Sequence, residues 1–411
     1  GGELSRMHAA AEQVAGAVGL EVRDGGAVQV HAAVEVALEV LRGQLELVGN
    51  PSSVHQFGQS ARRVLEEARE SIAESLDCNR SEVIFTSGGT ESDNLAVKGI
   101  FWQQLAASDG ARRVIVTAET EHHAVLDACL WLQRHDEAEV VFVPVDARGV
   151  LDLAWLAGFL GERAAEVALV TLMWANNETG VVTDIHEVCR IAGEHGVPVH
   201  SDAVAAFGHV PIDFAASGLA AMSITAHKVG GPVGVGALIV ARSLKLTALQ
   251  HGGGHERGMR SGTLNAPAAK AFALAATMAV AEVHARTAEF EGLRDRLIEG
   301  VLAIGADVVL TRGDAPALPN NAHFTFAGCT GDSLLFLLDM AGVSVSTGSA
   351  CTAGVPRASH VVMAAGRAES EAIGSMRVTF GWNSTQADVD ALLAALPAAL
   401  EGALKAGLNA R

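Results

Sequence analysis

The chain has 411 residues, of which 49% are hydrophobic and 18% are charged, so it can bury a large core and we expect two domains. Its 47 acidic residues outnumber its 29 basic ones, and the net charge of -18 argues against direct binding to nucleic acid or to an anionic membrane. The apolar stretches are shorter than a membrane span and no basic-then-apolar leader opens the chain, so we expect a cytoplasmic protein.

Short apolar, strand-like runs alternate with helix-like segments from about Glu82 to Val240. The runs are VIFTS, RRVIVTA, EVVFVPV, VALVTLM, VPVHSD, AMSITA and GALIVA. This alternation predicts an α/β fold with a mostly parallel sheet that is covered on both faces. After about Ala266 the pattern changes to a long charged helix and then to mixed strands and helices. We therefore predict a large domain over residues 30–280 and a smaller α+β domain formed by residues 1–29 and 281–411.

The segment TSGGTESDN (86–94) lies between a strand-like run and a helix-like run. Small residues at such a turn expose backbone N–H groups to an anion, and the helix dipole also favours negative charge there. The segment lacks the Gly-Lys-Ser/Thr ending of a P-loop and the spacing of a dinucleotide fingerprint, so a phosphate group is favoured over a nucleotide. The alternative is an ordinary capped helix start.

Two further strand-like runs end in groups that suit catalysis. Asp202 ends the run VPVHSD, and Lys228 follows AMSITA and precedes the glycine-rich stretch VGGPVGVGALIV. A lysine amine forms a Schiff base with pyridoxal phosphate, and a carboxylate can keep the pyridine nitrogen of that cofactor protonated. The alternatives are a solvated lysine and an aspartate that caps a helix.

The five cysteines include no CxxC pair, so neither a disulfide framework nor a thiolate zinc site is indicated, and no metal is expected. Cys129 and Cys189 fall in amphipathic stretches and are predicted to be buried. Cys78 and Cys329 lie near predicted turns. Cys351 lies in a run of small polar residues, STGSACTAG, which predicts an exposed loop that suits a nucleophilic thiol.

Together these segments resemble the cysteine desulfurases of the aminotransferase class V group, which are fold-type I pyridoxal-phosphate enzymes. The resemblance runs from GNPSS (49–53) to Arg377. The matching segments are TSGGTESDN (86–94), TEHHAVLD (120–127), NNETG (176–180), HSDAV (200–204), TAHK (225–228), HGGGHERGMRSGTLN (251–265), STGSACTAG (346–354) and MRVTFG (376–381).

The resemblance implies a role for each candidate residue. Lys228 would hold the cofactor covalently and then transfer protons. His122 would stack on the pyridine ring and help to move protons, and the carboxylate of Asp202 would face the ring nitrogen. Asn177 and Arg377 would bind the substrate carboxylate, and Asn177 would also contact the cofactor. The phosphate would be bound by Gly89, Thr90, Thr225 and His227, with Thr263 supplied by the partner subunit of a homodimer. His123 has no such role and is expected at the surface.

The resemblance also implies the reaction. L-Cysteine would be converted to L-alanine, and its sulfur would be left as a persulfide on Cys351 and passed to a sulfur-acceptor protein. The alternatives are a related pyridoxal-phosphate lyase acting on selenocysteine, cystine or another C–S bond, or a catalytically weak scaffold for sulfur transfer.

The sequence departs from the family pattern in one segment and at two single residues. The expected Ala-Thr-Thr segment reads Ala27-Val28-Gln29, and Ala205 replaces the glutamine that would donate to the phenolic oxygen of the cofactor. Trp382 stands where an arginine is common, at a position to which no chemical role is assigned.

Overall fold

The computed structural model describes residues 28–45, 49–305, 307–348 and 358–409. Its helices of four or more residues are α1 (Val28–Leu45), α2 (Gln56–Ser75), α3 (Gly89–Ala107), α4 (His123–His135), α5 (Leu153–Arg163), α6 (Ile185–Gly193), α7 (Phe214–Ser217), α8 (Ala266–Leu302), α9 (Gly331–Met340), α10 (His360–Ala364), α11 (Glu369–Ala372) and α12 (Gln386–Asn409). Its strands are β1 (Val83–Thr86), β2 (Val114–Thr117), β3 (Glu139–Phe142), β4 (Val167–Thr171), β5 (Val199–Asp202), β6 (Ala221–Thr225), β7 (Gly236–Val240), β8 (Val308–Leu310), β9 (Asn321–Phe326) and β10 (Ser375–Thr379).

The larger sheet has seven strands in the order β1-β7-β6-β5-β4-β2-β3. Only β7 runs against its neighbours, and the strands from β6 across to β3 are parallel. Every residue of β2 and β4 is buried, as expected for β-branched strands covered on both faces. The predicted strands are therefore present, and the mostly parallel sheet is confirmed.

The antiparallel strand β7 brings the glycine-rich stretch back against the end of β6. Gly236 pairs with Thr225, and a Cβ added at Gly236 would lie 2.8 Å from the Cα of Gly88. Only glycine permits this close approach between backbones. The start of α3 and the end of β6 are thereby held side by side, although they come from distant parts of the sequence.

The smaller sheet has three strands in the order β10-β9-β8 and packs on α9 and α12. Phe324, Leu334 and Leu396 are fully buried in its core. Cys329 follows the turn at residues 327–328, as predicted, and is buried, so its sulfur contributes to the packing of this core. Cys129 and Cys189 are buried as predicted.

The long helix α8 joins the cores of the two sheets. Its Phe272 packs in the core of the seven-stranded sheet, and its Leu297 and Val301 pack in the core of the smaller one. An 18-residue window of α8 has a hydropathy of 1.3, enough by length and composition for a membrane span, but half of that window is buried inside the protein. Buried core helices meet the same criterion. The predicted domain boundary at residue 280 falls inside α8 and stays a prediction.

Candidate active site

A cavity of about 420 Å³ lies at the carboxyl ends of the central strands, and residues of both sheets line it. Asn177, His227 and Lys228 come from the larger sheet and its loops, and Arg377 comes from β10. Four of the candidate residues, 200 positions apart at the extremes, therefore share one cavity. Open α/β sheets place ligands at this end of their strands.

Lys228 lies in the tight turn that follows β6. The backbone N–H groups of Val229 and Gly231 both donate to the carbonyl of Ala226, which fixes the direction in which the chain leaves the strand. Thr225 and His227, which precede the lysine by three residues and one residue, form a hydrogen bond of 3.1 Å between Oγ1 and Nδ1. The turn therefore presents the lysine to the cavity and pairs two of the predicted phosphate ligands.

His209 also lines this cavity, and the sequence did not point to it. Burial lowers its pKa to about 4, although the backbone of Lys228 acts in the opposite direction. The ring is therefore neutral at physiological pH and lines the same cavity as Lys228.

Asp202 is the last residue of β5 and is buried. Burial raises the pKa of its carboxyl to about 6, against two opposing influences: a hydrogen bond of 2.8 Å accepted from the Val204 N–H and the charge of Lys228. A buried carboxyl near a lysine suits a cationic partner such as a protonated ring nitrogen.

A buried polar layer lies beneath Asp202. The His200 ring contacts Thr171 Oγ1 through Nδ1 at 2.9 Å and Ser223 Oγ through Nε2 at 3.0 Å. Burial lowers the pKa of His200 to about 3, and burial together with the charge of Asp202 raises the pKa of Asp93 well above its usual range. The layer is therefore electrically neutral at neutral pH, and Asp202 keeps the charge nearest the cavity.

The start of α3 forms the predicted anion cradle. Gly88 has a φ of 152°, and a Cβ at this residue would lie 3.8 Å from Thr225 Oγ1. A Cβ added at Gly89 would lie 2.7 Å from Val204 Cγ2, two residues after Asp202, so glycine is needed where the helix start meets this side chain. Thr90 lies in the first turn of α3 and lines a neighbouring surface cavity with His122. The predicted phosphate residues thus cluster around the helix start.

His122 is the N-cap of α4, and its Nδ1 accepts the Ala124 N–H at 3.1 Å. Burial lowers its pKa, and the charges of His123 and Lys228 lower it further. The acceptor role of Nδ1 leaves the proton on Nε2 of a neutral ring. His122 thus keeps one ring nitrogen, Nε2, that can donate a hydrogen bond.

Two neighbours of His122 behave differently. His123 is 39% exposed and stacks on His360 with ring centroids 4.6 Å apart, in line with its predicted surface position. Glu121 is buried: its Oε1 accepts the Met173 N–H at 2.8 Å, and its Oε2 has no hydrogen-bond partner among the described residues. Burial raises the pKa of Glu121 well above its usual range and so favours the protonated carboxyl.

Arg377 is joined to the larger sheet through the turn 176–180. Its Nη1 donates to the Asn177 carbonyl at 2.7 Å, and its backbone pairs with Ser346 through two hydrogen bonds of 3.0 and 2.7 Å. Ser346 precedes Cys351 by five residues in the sequence. The two predicted carboxylate-binding residues, Asn177 and Arg377, are thus in contact.

Two predicted site residues lie elsewhere. Thr263 is exposed and lines neither of these cavities. Its loop is fixed by the Arg260–Glu91 ion pair, in which Nε and Oε1 are 2.7 Å apart. Cys351 falls outside the described residues.

The departures from the family pattern have different places in the structure. Ala27 lies outside the described residues, and Val28 and Gln29 begin α1. Ala205 and Trp382 both line the cavity that contains Lys228. Trp382, to which the sequence assigns no chemical role, thus forms part of the cavity wall.

Comparison with known proteins decides the family. The Aminotransferase class-V model matches residues 31–392. The chain belongs to this family. An IscS-like cysteine desulfurase from Mycobacterium tuberculosis strain H37Rv is 52% identical over 375 residues, which cover 91% of this chain and 95% of that protein.

Solved structures agree with this assignment. A NifS-like protein superposes with a TM-score of 0.81 at 33% identity, covering 89% of this chain and 95% of that one. A structure described as SspA in complex with cysteine gives a TM-score of 0.70 at 29% identity, covering 84% and 94% of the two chains. The resemblance to cysteine desulfurases and the fold-type I architecture are therefore confirmed, and this is an enzyme of a pyridoxal-phosphate-dependent family.

Proposed function

We propose that this chain converts L-cysteine to L-alanine and carries the released sulfur as a persulfide on Cys351 for transfer to an acceptor protein. The observation that supports this most is the shared cavity, where Lys228 faces the paired substrate residues Asn177 and Arg377. The chain that leads to Cys351 starts beside Arg377, through its pairing with Ser346. Amino, carboxylate and sulfur groups of one small substrate would each meet a matching residue.

The residues present fit pyridoxal phosphate. Asp202 supplies a buried carboxyl for a ring nitrogen, and Lys228 supplies the amine. Because Gly88 has no side chain, the backbone N–H groups at the start of α3 can be reached by a phosphate. When bound, the cofactor supplies an electron sink that stabilises negative charge on the substrate carbon framework. Thr225 and His227 would complete the phosphate ligands, together with Gly89 and Thr90.

The protein groups would then position the substrate and move its protons. Arg377 would bind the carboxylate bidentately, with Asn177 beside it, which fixes the α-carbon near the Lys228 amine. Lys228 would take the α-proton. His122, neutral and with its donor on Nε2, would stabilise the charge that develops on the opposite side.

The sulfur step would use the Cys351 thiolate as nucleophile. It would attack the substrate sulfur, so that an S–S bond forms as the Cβ–S bond breaks. The electron pair left on carbon would take up a proton and give alanine. An acceptor thiolate would later attack the outer sulfur and regenerate Cys351.

Three broader expectations belong to the same proposal. We propose a homodimer in which Thr263 contacts the phosphate of the partner subunit, supported by the exposure of Thr263 on a well-anchored loop. The two-domain division and a cytoplasmic location are proposed from the sequence patterns described above.

A second candidate function rests on Ala205 and Trp382, which both line the cavity at positions where the family differs. Loss of the glutamine donor and a new aromatic wall favour a related C–S lyase that accepts a different substrate, such as selenocysteine or cystine. The conserved chemistry of Lys228, Asp202 and Arg377 would be shared by both functions.

Alanine release separates these possibilities. We would incubate the purified protein with L-cysteine, pyridoxal phosphate and a thiol reductant, beside Cys351→Ala and the control Cys78→Ala. The proposal predicts alanine from the native protein and from Cys78→Ala, and none from a Cys351→Ala variant that still holds the cofactor. Equal alanine from Cys351→Ala would refute the nucleophile. A cofactor-loaded protein that acts only on another substrate would favour the lyase.

A further inference from the structure

The turn 176–180 contains a buried acidic residue to which no role has been given. Glu178 is buried, with an exposed fraction of 1%. Its neighbour Asn177 lines the cavity, and Thr179 is buried as well. The turn is rigid, because Asn176 Oδ1 accepts the backbone N–H groups of both Glu178 and Thr179 at 2.9 Å. A buried carboxyl needs a specific partner.

The partner of Glu178 lies 181 residues further along the chain. Ser359 Oγ donates to Glu178 Oε2 at 2.5 Å, and the same hydroxyl accepts the Val362 N–H at 3.2 Å as the N-cap of α10. Ser359 is itself only 2% exposed. The contact is therefore a short, buried hydrogen bond at the start of a helix.

The same carboxyl also contacts the chain before Cys351. A Cβ added at Gly348 would lie 2.8 Å from Glu178 Oε2 and 2.9 Å from the Cβ of Ser359. Only glycine fits at this position. The chain thus passes Glu178 at Gly348, before Cys351, and again at Ser359, after it.

From this geometry we infer that Glu178 is a positioning residue, which holds together both ends of the Cys351 segment beside the residues that bind the substrate carboxylate. The adjacent Asn177 accepts from Arg377 through its carbonyl, so one turn fixes both the carboxylate site and the origin of the sulfur-accepting segment. Gly348 and Ser359 flank Cys351 in the sequence, so fixing these two residues beside Asn177 and Arg377 limits how far the thiol can lie from the substrate. The inference concerns residues 348 and 359 and rests on the proposed role of Cys351.

The test uses the holoenzyme and compares the rate of sulfur transfer with the strength of substrate binding. We would measure first-turnover sulfur transfer to Cys351 by rapid quenching, and substrate binding by the change in cofactor absorbance on adding L-cysteine. Glu178→Ala and Ser359→Ala should each slow sulfur transfer about tenfold, while the midpoint of the absorbance titration stays within about twofold. Glu178→Gln should rescue most of the rate, because an amide oxygen can still accept from Ser359.

Two controls separate positioning from a general loss of structure. Asp152→Ala removes another helix N-cap, that of α5, where the Asp152 carboxylate accepts the Trp155 N–H at an exposed position. It should leave sulfur transfer unchanged. The double variant Glu178→Ala/Ser359→Ala should be no slower than either single variant, because both remove the same bond.

Several results would overturn the inference. These are an unchanged rate in both single variants, a parallel loss of sulfur transfer and of substrate binding, or a double variant whose loss is the product of the single losses. If Glu178→Ala does not fold, Ser359→Ala and Glu178→Gln decide the matter.

Failure of the proposed function would be visible separately, as a native protein that yields neither alanine nor a Cys351 persulfide. The inference would then be judged by alkylation of the Cys351 peptide with iodoacetamide. A severalfold difference in the alkylation rate between native protein and Ser359→Ala would support the positioning role of Glu178, and an identical rate would contradict it.

Discussion

The two sides of the cavity are built in different ways. On the cofactor side, polar groups at the ends of β4, β5 and β6 bond to one another across neighbouring strands, as His200 does with Thr171 and Ser223. On the sulfur side, the bonds join residues far apart in sequence: Arg377 to Asn177, across 200 positions, and Ser359 to Glu178, across 181. The first side works through burial and charge, whereas the second works through a few long-range hydrogen bonds. Substitutions should therefore affect electrostatics on one side and geometry on the other.

The largest effect is expected from Lys228→Ala, on the cofactor side. Without the amine, the covalent attachment and the proton transfer are both lost, and alanine formation should fall at least about a thousandfold. The loss would be measured as alanine release, and the attachment as cofactor absorbance retained after gel filtration. Lys270→Ala, which removes a surface lysine near Glu67, is the matched control and should be fully active. A Lys228→Ala protein within tenfold of the native rate would contradict the assignment.

Next in size is a pH effect at Asp202. Its folded pKa of about 6 lies above the ordinary value of 3.8, so the protonated form stabilises the fold. That stabilisation is complete below the ordinary pKa and is lost as the pH rises through 6. Because asparagine cannot ionise, cofactor-free Asp202→Asn should gain roughly 2 to 3 kcal/mol over native protein between pH 4 and pH 7.

Chemical denaturation at several pH values measures this difference. Asp127→Asn, at a side chain that is 69% exposed, is the control and should show no such gain. If the difference in unfolding free energy between Asp202→Asn and native protein does not vary with pH, the fold does not raise the pKa of the Asp202 carboxyl.

Arg377→Lys probes the sulfur side. A lysine keeps the charge but cannot bind a carboxylate bidentately or reproduce the Nη1 contact with Asn177. We expect KM for L-cysteine to rise about 10- to 100-fold with a smaller change in kcat. Steady-state kinetics measure both, with the surface substitution Arg190→Lys as control. An unchanged KM would place the substrate carboxylate elsewhere.

A smaller effect, and a gain, is expected from Ala205→Gln. Ala205 lines the cavity, so a glutamine there could donate to the cofactor, and one such hydrogen bond is worth about 1 kcal/mol. We expect a shift in the cofactor absorbance and a change in kcat of up to about fivefold. Ala205→Met fills similar space without a donor and should not shift the absorbance. Identical spectra for both variants would mean that position 205 does not reach the cofactor.

The smallest effect is expected from Glu121→Gln. Burial raises the pKa of this carboxyl and favours its neutral form, so an amide of the same shape should leave the unfolding free energy and kcat nearly unchanged. Glu121→Ala, in contrast, leaves the Met173 N–H without its acceptor and should cost about 1 to 3 kcal/mol in unfolding free energy. A large loss in Glu121→Gln would show that the ionised form is needed.

The two sides also differ in how well the sequence predicts them. The strand runs and the residues at their ends, such as Asp202 and Lys228, follow from apolar patterning, because parallel strands bring their carboxyl ends to one edge. The contact of Glu178 with Ser359 and the place of Trp382 in the cavity wall have no local signal. They depend on how the two sheets pack, which periodicity along the chain does not encode.

The central claim is that sulfur from L-cysteine reaches Cys351. The most direct test is to treat the cofactor-loaded protein with a single equivalent of L-cysteine, digest it under non-reducing conditions and locate the extra sulfur atom by peptide mass spectrometry. The account predicts one added sulfur on the peptide that contains Cys351, with alanine in equal amount. Alanine without added sulfur on that peptide, or sulfur on Cys78 instead, would contradict it.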